Sequence, residues 1–359
     1  MKIYIDNDNL LNPIWYRHRA FIDIEKNRWT YTDNINEATI IPIVGRSGFN
    51  IEFLKNSVKD HHILMILDVF DINDSGAIEG LTECLEITNK VIFIHKNYKL
   101  KDDPRFVYFD CLWDRQKLYC TEYKKVDNLG ENSWTRGANP EIYQISDIDK
   151  QPSKKFLSPQ RIYPGNDSKT KIRRLLQTFL EGYSEQGYIS YVGTNGTVLG
   201  TNNDSTILNY VNDSKGGVWY PVADSYYNSS YISIYAETLV TGYNANCVTE
   251  KSFDPLIKGN FILPFGYQGL IKHLTDYYGF KLPRWVDYSY DNIENTYDRF
   301  GRYLNVVEHI LNYSAEDLHE LYLKDKDILE HNRNIFYTRP YCGIYDNILE
   351  FIETQGWST

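Results

Sequence analysis

Thr249-Glu250-Lys251-Ser252 places a capping hydroxyl, a carboxylate and an amine within one helical turn, ahead of Phe253–Lys258 and a closing Gly259. A threonine at an N-cap accepts a first-turn N–H, and the exposed amides with the helix dipole favour an anion such as a pyrophosphate. Lys251 adds a formal positive charge, and the Glu250 carboxylate can accept both hydroxyls of a ribose diol. Upstream, Tyr231-Ile232-Ser233-Ile234-Tyr235-Ala236-Glu237 reads as a strand ending in a carboxylate, which puts Glu237 in a cleft one short loop from that helix. The same chemistry also suits an ordinary helix start and a solvated strand end.

Three further groups suit proton transfer. Asp68, Asp71 and His95 follow apolar runs in the first third of the chain, and each could take a proton from an acceptor hydroxyl. Spacing does not choose among them. Asp71 to Glu79 imitates the start of an EF-hand loop but has Thr82 where the bidentate Glu belongs, so a strand-end loop is expected, not calcium. Asp6-Asn7-Asp8 has the form of a metal-binding D-x-D, yet follows the first strand too early for that role. No metal site is expected.

Positioning these groups requires an α/β frame. Lys2–Ile5, Thr39–Val44, His62–Leu67, Lys90–His95 and Phe106–Phe109 are compact apolar runs separated by helix-length intervals, the pattern of βαβ units and a mainly parallel sheet. Asp6, Arg46, Asp68, Asp71, His95 and Asp110 then collect at the carboxyl edge, where such sheets bind ligands. An N-terminal domain is expected over 1–150. Lys, Asn, Ser, Pro and Gly dominate from about 121 to 165, which reads as irregular structure ending in a linker over 151–167. A second domain over 168–325 opens with the amphipathic helix Lys171–Tyr183. Strands are expected at Tyr188–Val192, Val218–Tyr220, Tyr231–Tyr235 and Phe261–Pro264, with helices at Thr249–Lys258 and Gln268–Tyr278. A helical tail fills 326–359.

Composition narrows the function classes. The 359 residues carry a net charge of −10, which disfavours non-specific binding to phosphate backbones. The 31 tyrosines fit either an AT-rich coding bias or an aromatic surface that stacks on sugars or bases. Five widely spaced cysteines without C-x-x-C suggest reduced thiols. No signal-peptide pattern follows Met1, and no apolar run approaches a membrane span, so a cytoplasmic protein without membrane association is expected.

The run Ser233 to Gly266, with Glu237, Thr249-Glu250-Lys251 and Phe261-Ile262-Leu263-Pro264-Phe265-Gly266, resembles the donor-binding region of fucosyltransferase-like glycosyltransferases. It is still more similar to glycosyltransferases of large phages and giant viruses, and Gly269–Leu274, Tyr278-Gly279-Phe280 and Trp285–Asp291 continue the pattern. The resemblance implies a GT-B fold: two Rossmann-like domains facing a central cleft, with the nucleotide sugar on the C-terminal one and no metal or other cofactor. Carried over, it makes Thr249, Glu250 and Lys251 donor-binding residues, with Glu250 on the ribose and Lys251 on the diphosphate or sugar. Glu237 would line the cleft. Arg173, or Arg174 one register on, would neutralise the leaving diphosphate. Lys258-Gly259-Asn260 stands where fucosyltransferases have A-G-x-x-P-V, so the sugar is left open. The implied activity is transfer of a hexose or pentose to a hydroxyl acceptor. The expected acceptor is a glycan, a lipid-linked sugar or, from the phage-like composition and the absence of an export signal, a hydroxymethylated pyrimidine of phage-type DNA held in a basic, Tyr-rich groove around Lys124-Lys125, Lys154-Lys155 and Arg161. A non-catalytic two-domain protein that captures a nucleotide or sugar is the alternative.

Overall fold

The computed structural model describes residues 1–4, 30–44, 51–68, 83–95, 104, 106–110, 113, 117, 151–162, 168–193, 224–238, 240 and 248–357. The fold is of the α/β class, with two parallel sheets and a set of C-terminal helices.

The first sheet contains β1 (Lys2–Tyr4), β2 (Thr30–Thr32), β3 (Ile40–Val44), β4 (Ile63–Asp68), β5 (Val91–His95) and β6 (Val107–Tyr108), in the order β2-β1-β3-β4-β5-β6. Every pairing in it is parallel. Period-two alternation explains the burial of both faces. Ile40, Ile63, Met65, Ile92 and Ile94 enter one core, while Ile41, Leu64, Ile66 and Phe93 enter the other. Leu54 of α1 (Ile51–Ser57) and the buried Cys84 cover the second face. Burial pushes the Cys84 thiol up to about 12, which keeps it protonated and inert.

The second sheet runs β10-β9-β7-β8, formed by β7 (Lys154–Ile162), β8 (Gly187–Gly193), β9 (Ser230–Ala236) and β10 (Phe261–Phe265). Its helices are α2 (Ser168–Glu181), α3 (Asp224–Asn228), α4 (Glu250–Ile257) and α5 (Leu270–Lys272), the last continuing as a π-helical turn over His273–Tyr277. Then come α6 (Thr296–Leu311), α7 (Ala315–Lys324), α8 (Lys326–Thr338) and α9 (Tyr345–Thr354).

One expectation is corrected here. Within the expected linker, Lys154–Ile162 forms β7, which pairs with both β8 and β9, and 163–167 lie outside the described residues. The misleading residues are accommodated individually. Lys154 and Lys155 send their amines to backbone carbonyls, of Glu185 in one case and of Leu311 and Tyr313 in the other. Val218–Tyr220 lies outside the described residues.

Among the described residues, several tyrosines are core residues. Tyr191, Tyr231, Tyr235, Tyr267, Tyr290 and Tyr303 are almost fully buried. Tyr290 and the partly buried Tyr288 share a task at the sheet edge. β10 is an outer strand, and Tyr288 and Tyr290 donate to the carbonyls of Ile262 and Pro264, two residues apart on each segment. Matched spacing thus covers the open hydrogen-bonding edge, where Pro264 also removes a donor.

The two sheets share a core. The cluster that begins with Ile3, Ile40 and Ile63 continues into Val248, Phe253 and Leu256 of the α4 region and into Phe336, Ile348 and Ile352 of α8 and α9. Trp113 sits at the centre of this joint, fully buried, stacked on Phe336 at 5.1 Å and meeting Phe253 edge-on at 5.8 Å. Its indole N–H donates to the Pro340 carbonyl at 3.1 Å, and the Lys117 amine donates to the carbonyls of Phe336 and Tyr337.

Candidate functional site

β9 delivers Glu237 to its carboxyl end, and there the carboxylate is completely buried. Its surroundings supply four donors. Thr249 gives its hydroxyl to Oε2 at 2.5 Å and its N–H to Oε1 at 3.2 Å; Ser252 gives its hydroxyl to Oε1 at 2.7 Å, and the Thr238 N–H reaches Oε2 at 3.2 Å. Tyr235, two residues earlier on β9, donates in turn to Ser252 at 2.7 Å. A buried carboxylate costs several kcal/mol unless it is hydrogen-bonded in this way. Glu237 therefore lies beneath the start of α4 and fixes its position, rather than standing open in a cleft.

Thr249 caps the helix as its sequence suggests: its backbone is extended, and its side chain accepts from Lys251 N. Gly259, with φ at 71°, follows the C-cap residue Lys258 in the left-handed region that glycine tolerates. The start of α4 offers fewer open amides than a bare helix terminus. The amides of Ser252 and Phe253 bond to the Thr249 carbonyl, and that of Thr249 bonds to Glu237. Glu250 and Lys251 are partly exposed at the helix start, 2.8 Å apart as an ion pair, and Lys251 Nζ also reaches the Thr238 hydroxyl at 3.3 Å. They are the ionisable side chains of this helix start that remain partly open to solvent.

Arg173 and Arg174 take opposite sides of α2. Arg173 is 1% exposed and donates to the carbonyls of Ala236 and Glu237 at 3.3 and 3.2 Å, while Arg174 is exposed. The guanidinium thus holds the backbone at the end of β9.

A second buried arginine went unnoticed in the sequence. Arg299 of α6 donates to the carbonyls of Val240 and Gly266, the segments leaving β9 and β10, and to those of Ile293 and Glu294. Ser252, Arg299, Trp113 and Asp110 are the site-supporting residues that motif reading did not single out for such roles. The signals available were Ser252 one turn after the cap, and Arg299 four residues before Tyr303 on a buried helix face.

On the first sheet, register puts Asp68 opposite His95 and His95 opposite Tyr108, so these backbone positions lie level on neighbouring strands. Asp110 lies just beyond β6; it is buried, accepts the Trp113 N–H at 3.0 Å and accepts a hydrogen bond from the Tyr278 hydroxyl. It belongs to the joint between the sheets. Asp71, the EF-hand-like run from Asp71 to Glu79, Asp6-Asn7-Asp8, Arg46 and Lys124-Lys125 lie outside the described residues.

The joint also holds a histidine kept neutral by its surroundings. His273 stacks on Tyr278 and hydrogen-bonds Tyr267 through Nδ1. Burial, with the Arg339 guanidinium nearby, pushes it down to about 3. Its folded pKa lies below the ordinary 6.5, so its contribution to stability is present above pH 6.5 and is lost as pH falls towards 3. Asp291, which accepts the Ile271 N–H at the start of α5, runs the other way: burial pushes it up to about 6, so its contribution is lost as pH rises through 6. The two partly cancel in the native protein. Replacing His273 with glutamine should reduce the stability lost between pH 7 and pH 4 by roughly 3 kcal/mol, measured by urea unfolding at both values. An unchanged pH dependence would contradict a buried neutral imidazole.

No family model matches the chain, and none of the curated proteins does. Among solved structures the chain is similar to a crystal structure of an alpha1,3-fucosyltransferase, at 12% identity and a TM-score of 0.45, over 98% of this chain and 88% of that one. Among the described residues no helix is long and apolar enough to cross a membrane.

Proposed function

We propose that the protein is a glycosyltransferase that moves a sugar from a nucleotide sugar to a hydroxyl acceptor. One observation carries this reading. At the carboxyl edge of a parallel sheet, a buried and fully hydrogen-bonded Glu237 fixes a helix start that presents Glu250 and Lys251. Ligands bind at that edge in open α/β sheets, and a preorganised acid–base pair there suits a ribose diol next to a diphosphate.

In this mechanism Glu250 accepts the ribose hydroxyls and Lys251 turns from Glu250 to the diphosphate. Arg173 acts from behind: it holds the Ala236–Glu237 backbone and adds positive charge as the diphosphate departs. These cations do the work that a metal does in other transferases. Asp68 or His95, neighbours on paired strands, or Asp71 takes the acceptor proton. The transferred unit is a hexose or pentose.

The acceptor is a glycan hydroxyl or a hydroxymethylated pyrimidine, as in phage-type DNA modified in the cytoplasm. The engagement of Lys154 and Lys155 with backbone carbonyls weighs against a DNA groove at that point. Incubation with a panel of nucleotide sugars, with glycans or hydroxymethylcytosine DNA added, should release nucleoside diphosphate with at least one donor. Glu250→Ala should lower that release at least about tenfold. Tight nucleotide binding without any turnover would instead make this a non-catalytic binding protein.

A further inference from the structure

A surface pocket of about 400 Å³ lies between α6 and the segment Trp285–Asp287. Its volume is at the lower end of the range for small-molecule sites, about 300–1,000 Å³. Arg302, Asn305 and His309 of α6 line it at a three- and four-residue spacing, so they project along one stripe of the helix. Val306 and Ile310 give the same wall an apolar base, and Trp285 forms the side opposite.

Trp285 packs against Phe261, the first residue of β10, with ring centroids 5.8 Å apart. The pocket therefore opens at the amino end of the second sheet. The Glu250 site lies at the carboxyl end, about 15 Å away along a five-residue strand.

Charge decides what the pocket suits. Arg302 is paired with Asp287 at 2.9 Å, so its charge is already answered. The N–H and hydroxyl of Ser289, then Arg302, hold the Asp287 carboxyl below its usual range, which preserves that pair at neutral pH. The wall thus offers no net cation for a phosphate. It offers polar groups at fixed spacing instead: the exposed Asn305 amide, the Nδ1 edge of His309, whose Nε2 is hydrogen-bonded to the Tyr313 hydroxyl at 3.1 Å, and the paired Asp287 and Arg302. The Trp285 indole N–H finds no acceptor among the described residues. An aromatic side opposite planar hydrogen-bonding side chains suits a ligand with apolar C–H faces and hydroxyls around its rim.

We propose that this pocket is a secondary binding site for a neutral saccharide unit, separate from the donor site. An uncharged hexose fills the space between Trp285 and α6, bonds to Asn305 and His309, and meets the Asp287–Arg302 pair at the rim.

The test is ligand-observed NMR titration of the whole protein with methyl β-galactopyranoside, methyl α-glucopyranoside, N-acetylglucosamine and maltotriose, with inorganic phosphate as the charged comparator. At least one sugar should bind with a dissociation constant of about 1–10 mM, as befits a ligand of about twelve heavy atoms. Maltotriose binding more tightly than every monosaccharide identifies a chain as the occupant; equal binding identifies a single sugar unit. Asn305→Ala, a change at an exposed helix position, should weaken binding at least about fivefold, and Trp285→Ala should abolish it. Glu250→Ala should leave it unchanged, so this result is independent of whether the donor reading holds. Absence of binding by all four sugars at 50 mM (roughly five times the weakest expected constant), indifference to Asn305→Ala, or displacement by phosphate would each overturn the proposal.

Discussion

Glu237→Ala is expected to destabilise the protein by about 3–5 kcal/mol and to abolish nucleotide binding. The substitution leaves the hydroxyls of Thr249 and Ser252 and the amides of Thr238 and Thr249 without their buried acceptor. Glu237→Gln should cost less. Its remaining oxygen can still accept, and the Thr249 and Ser252 hydroxyls can rotate to accept from the new amide, but the two backbone N–H groups cannot. Stability by chemical unfolding should therefore fall in the order wild type, Gln, Ala, and nucleotide affinity should follow it. An alanine variant within about 1 kcal/mol of wild type would remove Glu237 from its place as the organiser of α4.

Trp113→Ala should have an effect of similar size at a different place. Trp113 belongs to the N-terminal half of the chain, yet its ring packs on Phe253 of α4, on Tyr278 and Phe280, and on Phe336 of α8, with Arg339 over its face at 5.3 Å. Removing it empties the centre of the joint, and large-to-small changes of this kind cost about 3–5 kcal/mol. Because α4 rests on that ring, the loss should also reach the Glu250 site. Hydrogen exchange of the α4 amides should rise in the variant, and unfolding should separate into two steps as the sheets uncouple. A single transition with less than about 1.5 kcal/mol of change would mean that the joint is held elsewhere, for instance by Lys117 and the α8 carbonyls.

The shared core also bears on movement. Any movement of one sheet against the other would have to pivot about the Trp113 joint, since Asp110, Trp113 and Lys117 are all bonded across it.

The first sheet was legible because its strands are buried on both faces and so carry unbroken runs of Ile, Leu, Val and Phe. β7 was not, because strand pairing overrides composition. Lys154 and Lys155 begin the strand and reach outward to carbonyls, and Pro159 sits inside it opposite Ser190. Buried Ser158 and Gln160 further disguise a central strand as a polar linker. β2 is short and partly exposed, leaving little hydrophobic signal.

At the site, the cap, the helix and its terminating glycine follow from local chemistry, and Thr249 through Lys258 is nearly the helix observed. What local chemistry could not supply was direction. Glu237 and Arg173 are charged residues that a sequence reading turns towards ligand, and both are turned into the protein. Their partners are Thr249 and Ser252 for one and the Ala236 and Glu237 carbonyls for the other, contacts that exist only once α2, β9 and α4 are packed together.

The central claim is that Glu250 recognises the ribose of a nucleotide sugar at the start of α4. Calorimetric titration with matched ribo- and 2′-deoxyribonucleoside diphosphates, on wild type and on Glu250→Ala, tests it most directly. A carboxylate that accepts two hydroxyls should favour the ribo form by about 10–100-fold in the wild type. The ratio should fall to about one in the variant, with the deoxy form bound equally by both proteins. Equal affinity for the two nucleotides in the wild type, or a preference that survives Glu250→Ala, would contradict the claim.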